Sequence, residues 1–167
     1  MHYYYRERLW PTPWIFISTA LVIPASLIVF LPINTIVGIM TAVFLYLGVV
    51  TMLLLASPVV AVSDSGLIAG PARLPLEHIG QPQVFLDEEA TLERGPRLDA
   101  RAWLLIRGWV SPVIKIPLND PADPAPYWLI SSRHPQRVAD ALSEATSAIP
   151  TPDGTQEAAL DQERPPQ

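Results

Sequence analysis

The chain between Leu9 and Ser63 reads LWPTPWIFISTALVIPASLIVFLPINTIVGIMTAVFLYLGVVTMLLLASPVVAVS, fifty-five residues without a single Asp, Glu, Lys or Arg. A helix rises about 1.5 Å per residue, so a hydrocarbon layer about 30 Å thick takes about 20 apolar residues per crossing. The stretch therefore predicts two membrane crossings, at 14–31 and 36–56, with Pro32-Ile33-Asn34-Thr35 as the turn between them. Pro32 cannot continue a helix without losing a backbone hydrogen bond, and Asn34 or Thr35 can cap the next one. Pro58 closes the second helix, so the hairpin unit spans 14–58. Pro24 should kink the first crossing, with Ser26 or a neighbouring helix relieving the freed carbonyl. Gly38 and Ala42 form a small-xxx-small pair that permits close helix approach. A second apolar run follows the first almost at once, which argues against a cleaved signal peptide. Neither crossing holds an ionisable side chain, so the sequence shows no proton relay or ion pathway.

Outward from this stretch, residues 1–13 read as an interfacial segment on the cytoplasmic side. Arg6 and Arg8 precede the first crossing, while the turn has no Lys or Arg. Positive-inside bias then puts both chain ends in the cytoplasm, in a multi-pass protein of the cell (inner or plasma) membrane. Tyr3, Tyr4, Tyr5, Arg6, Arg8, Trp10 and Trp14 are the expected anchors at the membrane–water boundary, where amphipathic aromatic rings prefer to sit.

Beyond Ser63 the character of the chain changes. Of 16 acidic residues all but Glu7 lie after this point, together with nine of the 11 basic ones. That portion is long enough for one small domain with its own core. A net charge of -5 lacks the basic footprint of a nucleic-acid binder. No cysteine is present, which excludes disulfides, thiolate metal sites and cysteine nucleophiles.

Short β runs bounded by turn residues replace the long apolar run. They are Val59–Ser63, Leu67–Ala69, Arg73–Leu76, Val84–Leu86, Trp103–Val110, Val113–Leu118 and Tyr127–Ser131. Asp64-Ser65-Gly66 is a turn whose Gly can take positive φ, and Gly70-Pro71 is another. Asp87–Arg94 reads as a short helix with Asp87 as N-cap and Gly95-Pro96 as its stop. Pro135 opens a helix to about Ala148, with Val138, Leu142, Ala145 and Ile149 along one face. The expected fold class is an α+β membrane protein, a two-helix transmembrane hairpin followed over 59–149 by a small, mostly antiparallel β domain. That domain would be a roll or barrel closed by a C-terminal helix, as pleckstrin-homology-like (PH-like) domains are. Residues 150–167 are polar with four prolines and are expected to be a disordered tail.

Little in the sequence carries chemistry. His2, His78 and His134 are the only histidines and lack metal-ligand spacing, so neither a metal nor a cofactor is expected. No Gly-x-Ser-x-Gly, Ser-x-x-Lys, phosphate loop or dinucleotide fingerprint occurs. The stiffest feature runs from Asn119 through Asp120, Asp123, Tyr127 and Trp128 to Ser131-Ser132-Arg133-His134-Pro135, with prolines holding the residues before them extended. Asp120 and Asp123 can accept from nearby backbone N–H groups or pair with Arg133. The loop is then either a rigid corner stapling the last strand to the C-terminal helix or a preorganised surface for a protein or polar ligand. Arg107 and Lys115, with Trp103 and Trp109, belong to an expected hairpin turning at Ser111-Pro112. A two-residue loop puts the two bases on opposite faces. A three-residue loop gathers them with both tryptophans into a cationic, aromatic patch suited to anionic lipid head groups.

Three stretches carry a family resemblance. They are Tyr5-Arg6-Glu7-Arg8-Leu9 ahead of the Trp- and Pro-rich start of the apolar run, Arg73-Leu74-Pro75-Leu76, and Asp120-Pro121-x-Asp123-Pro124-x-Pro126-Tyr127-Trp128-Leu129-Ile130-Ser131-Ser132-Arg133-x-Pro135. Over roughly residues 3–145 the chain resembles an actinobacterial membrane-protein family known as domain of unknown function 3093. The resemblance implies two membrane helices and a cytoplasmic domain, and no activity, cofactor or catalytic residue. The expected function is a non-catalytic integral membrane protein, an accessory subunit or scaffold with a protein partner in a membrane complex. A sensor of anionic lipid head groups, with membrane lipid as its partner, is the alternative. An enzyme on a membrane-associated substrate is the third reading.

Overall fold

The computed structural model describes residues 2–30 and 32–148. The first element is a strand, β1 (Tyr3–Arg8), so the segment expected to be interfacial takes part in a sheet. Three helices follow, α1 (Pro13–Thr19), α2 (Val22–Phe30) and α3 (Thr35–Leu55). The run Pro13–Phe30 and the 21-residue α3 are each long and apolar enough to cross a membrane. The break between α1 and α2 comes from Pro24, whose missing N–H leaves the Ala20 carbonyl without its donor four residues on. The Ile23 N–H takes that carbonyl instead, at 3.0 Å. Ser26 does not relieve it, because its hydroxyl donates to the carbonyls of Val22 (2.6 Å) and Ile23 (3.1 Å). Asn34 caps α3, its Oδ1 accepting from the N–H groups of Ile36 (2.9 Å) and Val37 (3.2 Å).

Helix α2 packs along α3, and the buried residues are Ser26 on one and Gly38 and Ala42 on the other. Small side chains at this seam let the two backbones come close. The large apolar side chains face outward instead, Phe44 being 76% and Leu55 80% exposed.

Strand β2 (Val59–Ser63) returns from α3 and pairs antiparallel with β1, Arg8 opposite Val59 and Glu7 opposite Val60. The helical hairpin is thus an insertion between two neighbouring strands. With β3 (Gly66–Ala69) and β4 (Ala72–Leu74) they form an antiparallel sheet of order β1-β2-β3-β4. The β2–β3 turn needs Gly66, at φ +133°, where a Cβ would lie 2.2 Å from the Leu74 carbonyl oxygen. Strand β4 ends before Pro75, earlier than the expected Arg73–Leu76, and Leu76–His78 forms a 3-10 turn.

The second sheet contains β5 (Gln83–Phe85), β6 (Trp103–Leu105), β7 (Val113–Pro117) and β8 (Tyr127–Ser131), in the order β5-β7-β8-β6. Here the expected hairpin across Ser111-Pro112 is overturned. Strand β6 pairs parallel with β8, Trp103 opposite Trp128, and β7 has its two edges filled by β5 and β8. Strand β6 stops at Leu105 because the Arg107 N–H donates to Ser131 Oγ and the Val110 N–H turns back to the Arg107 carbonyl. Strand β8 lies between β7 and β6 and is buried along its whole length, which accounts for its unbroken apolar run.

One face of this sheet is covered by α4 (Asp87–Arg94), whose Ala90 packs with Val113, Tyr127 and Leu129. Leu86, not the expected Asp87, occupies the N-cap position. Asp87 is instead the first helical residue, at φ +44°, a left-handed conformation that Asp tolerates better than most side chains. The alternate residues of β7 and β8, Ile114, Ile116, Trp128 and Ile130, point the other way into the main core. That core is shared with Val60, Val62 and Leu67 of the first sheet and is closed by α5 (Pro135–Ser147) through Val138, Ala141, Leu142 and Ala145. Ile149 and the 150–167 tail lie outside the described residues. The result is an α+β protein with an antiparallel sheet, a mixed sheet and a C-terminal helix.

Candidate functional site

Where the hairpin meets the domain, two sequence motifs more than a hundred residues apart come together. Leu9 donates its N–H to the Pro58 carbonyl at 3.0 Å, extending the β1–β2 ladder to the base of the helices. An α-helix leaves its last carbonyls without partners, and α3 ends at this point. Arg8 Nη2 donates to the Leu54 carbonyl (3.3 Å), Ser57 Oγ to that of Leu53 (2.9 Å) and Arg107 Nε to that of Ala56 (3.1 Å). Cations here also suit the negative end of the helix dipole. On the incoming strand, Trp109 Nε1 donates to the Leu9 carbonyl at 3.1 Å, and Arg133 Nη2 donates to that of Trp10. The Arg8 guanidinium lies over the Trp10 ring, 4.4 Å from its centroid. Thr12, at the N-cap of α1, keeps its hydroxyl buried without a partner, because Ile15 bonds the Thr12 carbonyl rather than Oγ1.

Glu7 is the polar centre of this junction, with a side chain only 10% exposed. Its Oε2 accepts from Ser132 Oγ (2.7 Å) and Tyr5 OH (3.0 Å), and its Oε1 from the Arg133 backbone N–H (3.1 Å). Ser132 is fully buried, and its hydroxyl also accepts from the His134 N–H at 3.2 Å. A serine 2.7 Å from a carboxylate can resemble a nucleophile with its base. Here both ends of the hydroxyl are occupied and the atom is closed off, so the pair works as a latch. Burial, and then the neighbouring Glu7 carboxylate, push the Tyr5 hydroxyl up to about 12. Charge-assisted bonds to a nearly buried carboxylate are strong ones, so this latch fixes α5 to the strand that precedes the hairpin.

The expected sites fare differently. Asp120 and Asp123 turn their carboxylates onto their own loop, accepting from the N–H groups of Ala122 (2.9 Å) and Ala125 (2.8 Å). Neither pairs with Arg133, which is engaged at the junction. Tyr127 and Trp128 are buried, the first accepting from the Asp99 N–H (2.8 Å) and the second stacked on Trp103 at 4.2 Å. Each aspartate thus closes an Asx turn within the Asp-Pro loop. The cationic patch of Arg107 with Lys115 does not form in either register, since no β6–β7 hairpin exists to make it. Lys115 binds Glu93 at 2.9 Å and lies over the Tyr127 ring, while Arg107 sits at the base of α3. Of the anchor residues, Tyr4 and Tyr5 pack against the core, while Tyr3, Arg6, Arg8, Trp10 and Trp14 are exposed.

Among the described residues no group of His, Cys, Asp and Glu could hold a metal ion. A cavity of about 290 Å³ opens between the start of β5 and the C-terminal end of α5, lined by Ile79, Gly80, Pro82, Asn119, Leu142 and Thr146 among others. No titratable side chain lines it. Sequence reasoning missed Glu7. The available signal was that it is the lone acid of the first 63 residues, set between two arginines.

Fold and site together define a class: an α+β protein in which two apolar helices are inserted between paired strands and held at their base by arginines, tryptophans and one carboxylate. A family model matches residues 4–142, which include both halves of the Glu7 latch. The chain belongs to that family, described as Protein of unknown function (DUF3093). No curated protein and no solved structure matches the chain.

Proposed function

We propose that this chain is a non-catalytic integral membrane protein, an accessory subunit or scaffold that holds a binding domain rigidly at the cytoplasmic face of the cell membrane. The observation that carries the reading is the hairpin inserted between β1 and β2. Its helices are apolar on their outward faces, and the domain grips both ends. A core helix of a soluble protein buries such side chains, and water does not solvate this much contiguous apolar surface cheaply. Strand β1 and helix α5 both belong to the domain at the base of the hairpin, and positive-inside bias from Arg6 and Arg8 favours the cytoplasm for that side. Two sheets sharing one core under a C-terminal helix support a PH-like roll, to which the parallel strand β6 is an addition. Such a domain acts through a partner, and a rigid base keeps its orientation to the bilayer constant.

Purification of the tagged full chain from membranes in mild detergent, followed by mass spectrometry, tests the role. A membrane protein should be recovered at fixed stoichiometry. Recovery of the chain alone overturns the scaffold reading, and release of the chain from vesicles by carbonate overturns the membrane reading itself.

A further inference from the structure

Two arginines without a carboxylate partner among the described residues stand at the base of the hairpin, on a molecule of net charge -5, and we infer that Arg8 and Arg107 bind the phosphate of an anionic phospholipid. The inference rests on the membrane reading above and adds a ligand to it. Both guanidiniums are held by carbonyl oxygens, of Leu54 for Arg8 and of Ala56 and Ile106 for Arg107. Carbonyls orient a cation without cancelling its charge. Among the described residues neither arginine has a carboxylate within 4.0 Å, whereas Arg97, Arg101, Lys115 and Arg133 each do. Glu7, next to Arg8 in the sequence, is already taken by Ser132, Tyr5 and Arg133.

An arginine carries five N–H donors, of which Arg8 uses one and Arg107 two, so a phosphate finds free donors on each. The exposed rings of Trp10, beneath the Arg8 guanidinium, and of Trp14, in the first turn of α1, suit the zone between head groups and acyl chains. Asp64, Asp120 and Asp123 lie at the opposite end of the domain, whereas Glu7 sits at the junction and Asp87, Glu88 and Glu89 follow Phe85, which is in register with Val113 and Ser131 at the hairpin end of the second sheet. Asp64 follows Ser63, which pairs with Tyr3 at the far end of the β1–β2 ladder, and Asp120 and Asp123 precede β8 at the end remote from Ser131. Lys115, bound to Glu93, takes no part.

The test uses the full chain in detergent micelles at low ionic strength, with thermal unfolding read as phosphatidylglycerol, phosphatidylcholine or inorganic phosphate is added. Phosphatidylglycerol should raise the midpoint at concentrations where phosphatidylcholine does not. The combined Arg8→Gln and Arg107→Gln variant should bind it about tenfold or more weakly, the order expected from losing two arginine–lipid attractions. Arg101→Gln, remote from the base, should bind as the unaltered chain does. If the double variant fails to fold, the unaltered protein decides: rising ionic strength must weaken the phosphatidylglycerol shift. Equal shifts from phosphatidylcholine, an undiminished shift in the glutamine variant, or a salt-independent shift would overturn the inference. An equal shift from inorganic phosphate alone would assign the site to the free anion and overturn the lipid. Carbonate extraction run in parallel separates these outcomes from failure of the membrane reading.

Discussion

Strand β8 and helix α3 are both nearly pure apolar sequence, yet the protein treats them in opposite ways. All five residues of β8 are buried, between α4 on one face and the main core on the other. On α3 only Gly38 and Ala42 are buried, and the bulky residues point outward. In water the hydrophobic effect stabilises a fold through area removed from solvent. Strand β8 contributes by that route and α3 does not, so what α3 contributes depends on its surroundings. Between these regimes lies the junction of Glu7, Arg8, Arg107, Trp109, Ser132 and Arg133, where hydrogen bonds to backbone carbonyls join a domain folded by its core to a hairpin that has none.

The sharpest way to break this contrast is a pair of truncations. Trp128→Ala removes a buried, stacked ring and should cost the domain about 3–5 kcal/mol, whereas Phe44→Ala, on a side chain 76% exposed, should change it by less than about 0.5 kcal/mol. Denaturant unfolding of the full chain in micelles, followed by near-ultraviolet dichroism, checks both, and comparable losses would dissolve the distinction. Next in size is Glu7→Ala. It leaves the buried Ser132 hydroxyl and the Arg133 N–H without their acceptor and should cost about 2–4 kcal/mol in the same measurement. Glu7→Gln, which keeps an acceptor, should recover part of that.

Asp123→Ala tests the corner far from the hairpin. Losing one Asx turn should lower stability by about 1 kcal/mol without altering recovery of a partner. Lost recovery at unchanged stability would mark the loop as a binding surface. The smallest effect is a pH dependence. Tyr5 is neutral in the folded state up to about 12, against an ordinary value of 10.0, so the unfolded chain ionises first. Its stabilising contribution is complete below about pH 10 and is lost as pH rises towards 12. Thermal midpoints should fall over that window, and less steeply in Tyr5→Phe.

Periodicity and punctuation alone were enough for the elements whose causes are local. The length of the apolar run, the cap at Asn34, the break caused by Pro24, the turn at Gly66 and the strands Val59–Ser63 and Tyr127–Ser131 all follow from residues within a few positions of one another. Seven strands of the domain and its closing helix were likewise legible, though not the strand Tyr3–Arg8, whose aromatic and basic residues also suit an interface. Pairing lay beyond reach. A hairpin at Ser111-Pro112 was the economical reading, but Ser131, from another strand, captures the Arg107 N–H, and β5 occupies the edge that β6 would have needed. The candidate site failed for the same reason. Arg107 and Lys115 are eight positions apart yet serve different ends of the domain, whereas Glu7 and Ser132 meet at 2.7 Å across most of the chain. Local conformation depends on short-range sterics that each residue carries with it. Which edges pair and which polar groups share a buried acceptor depends on a competition among distant segments, and that competition is resolved only when the core closes.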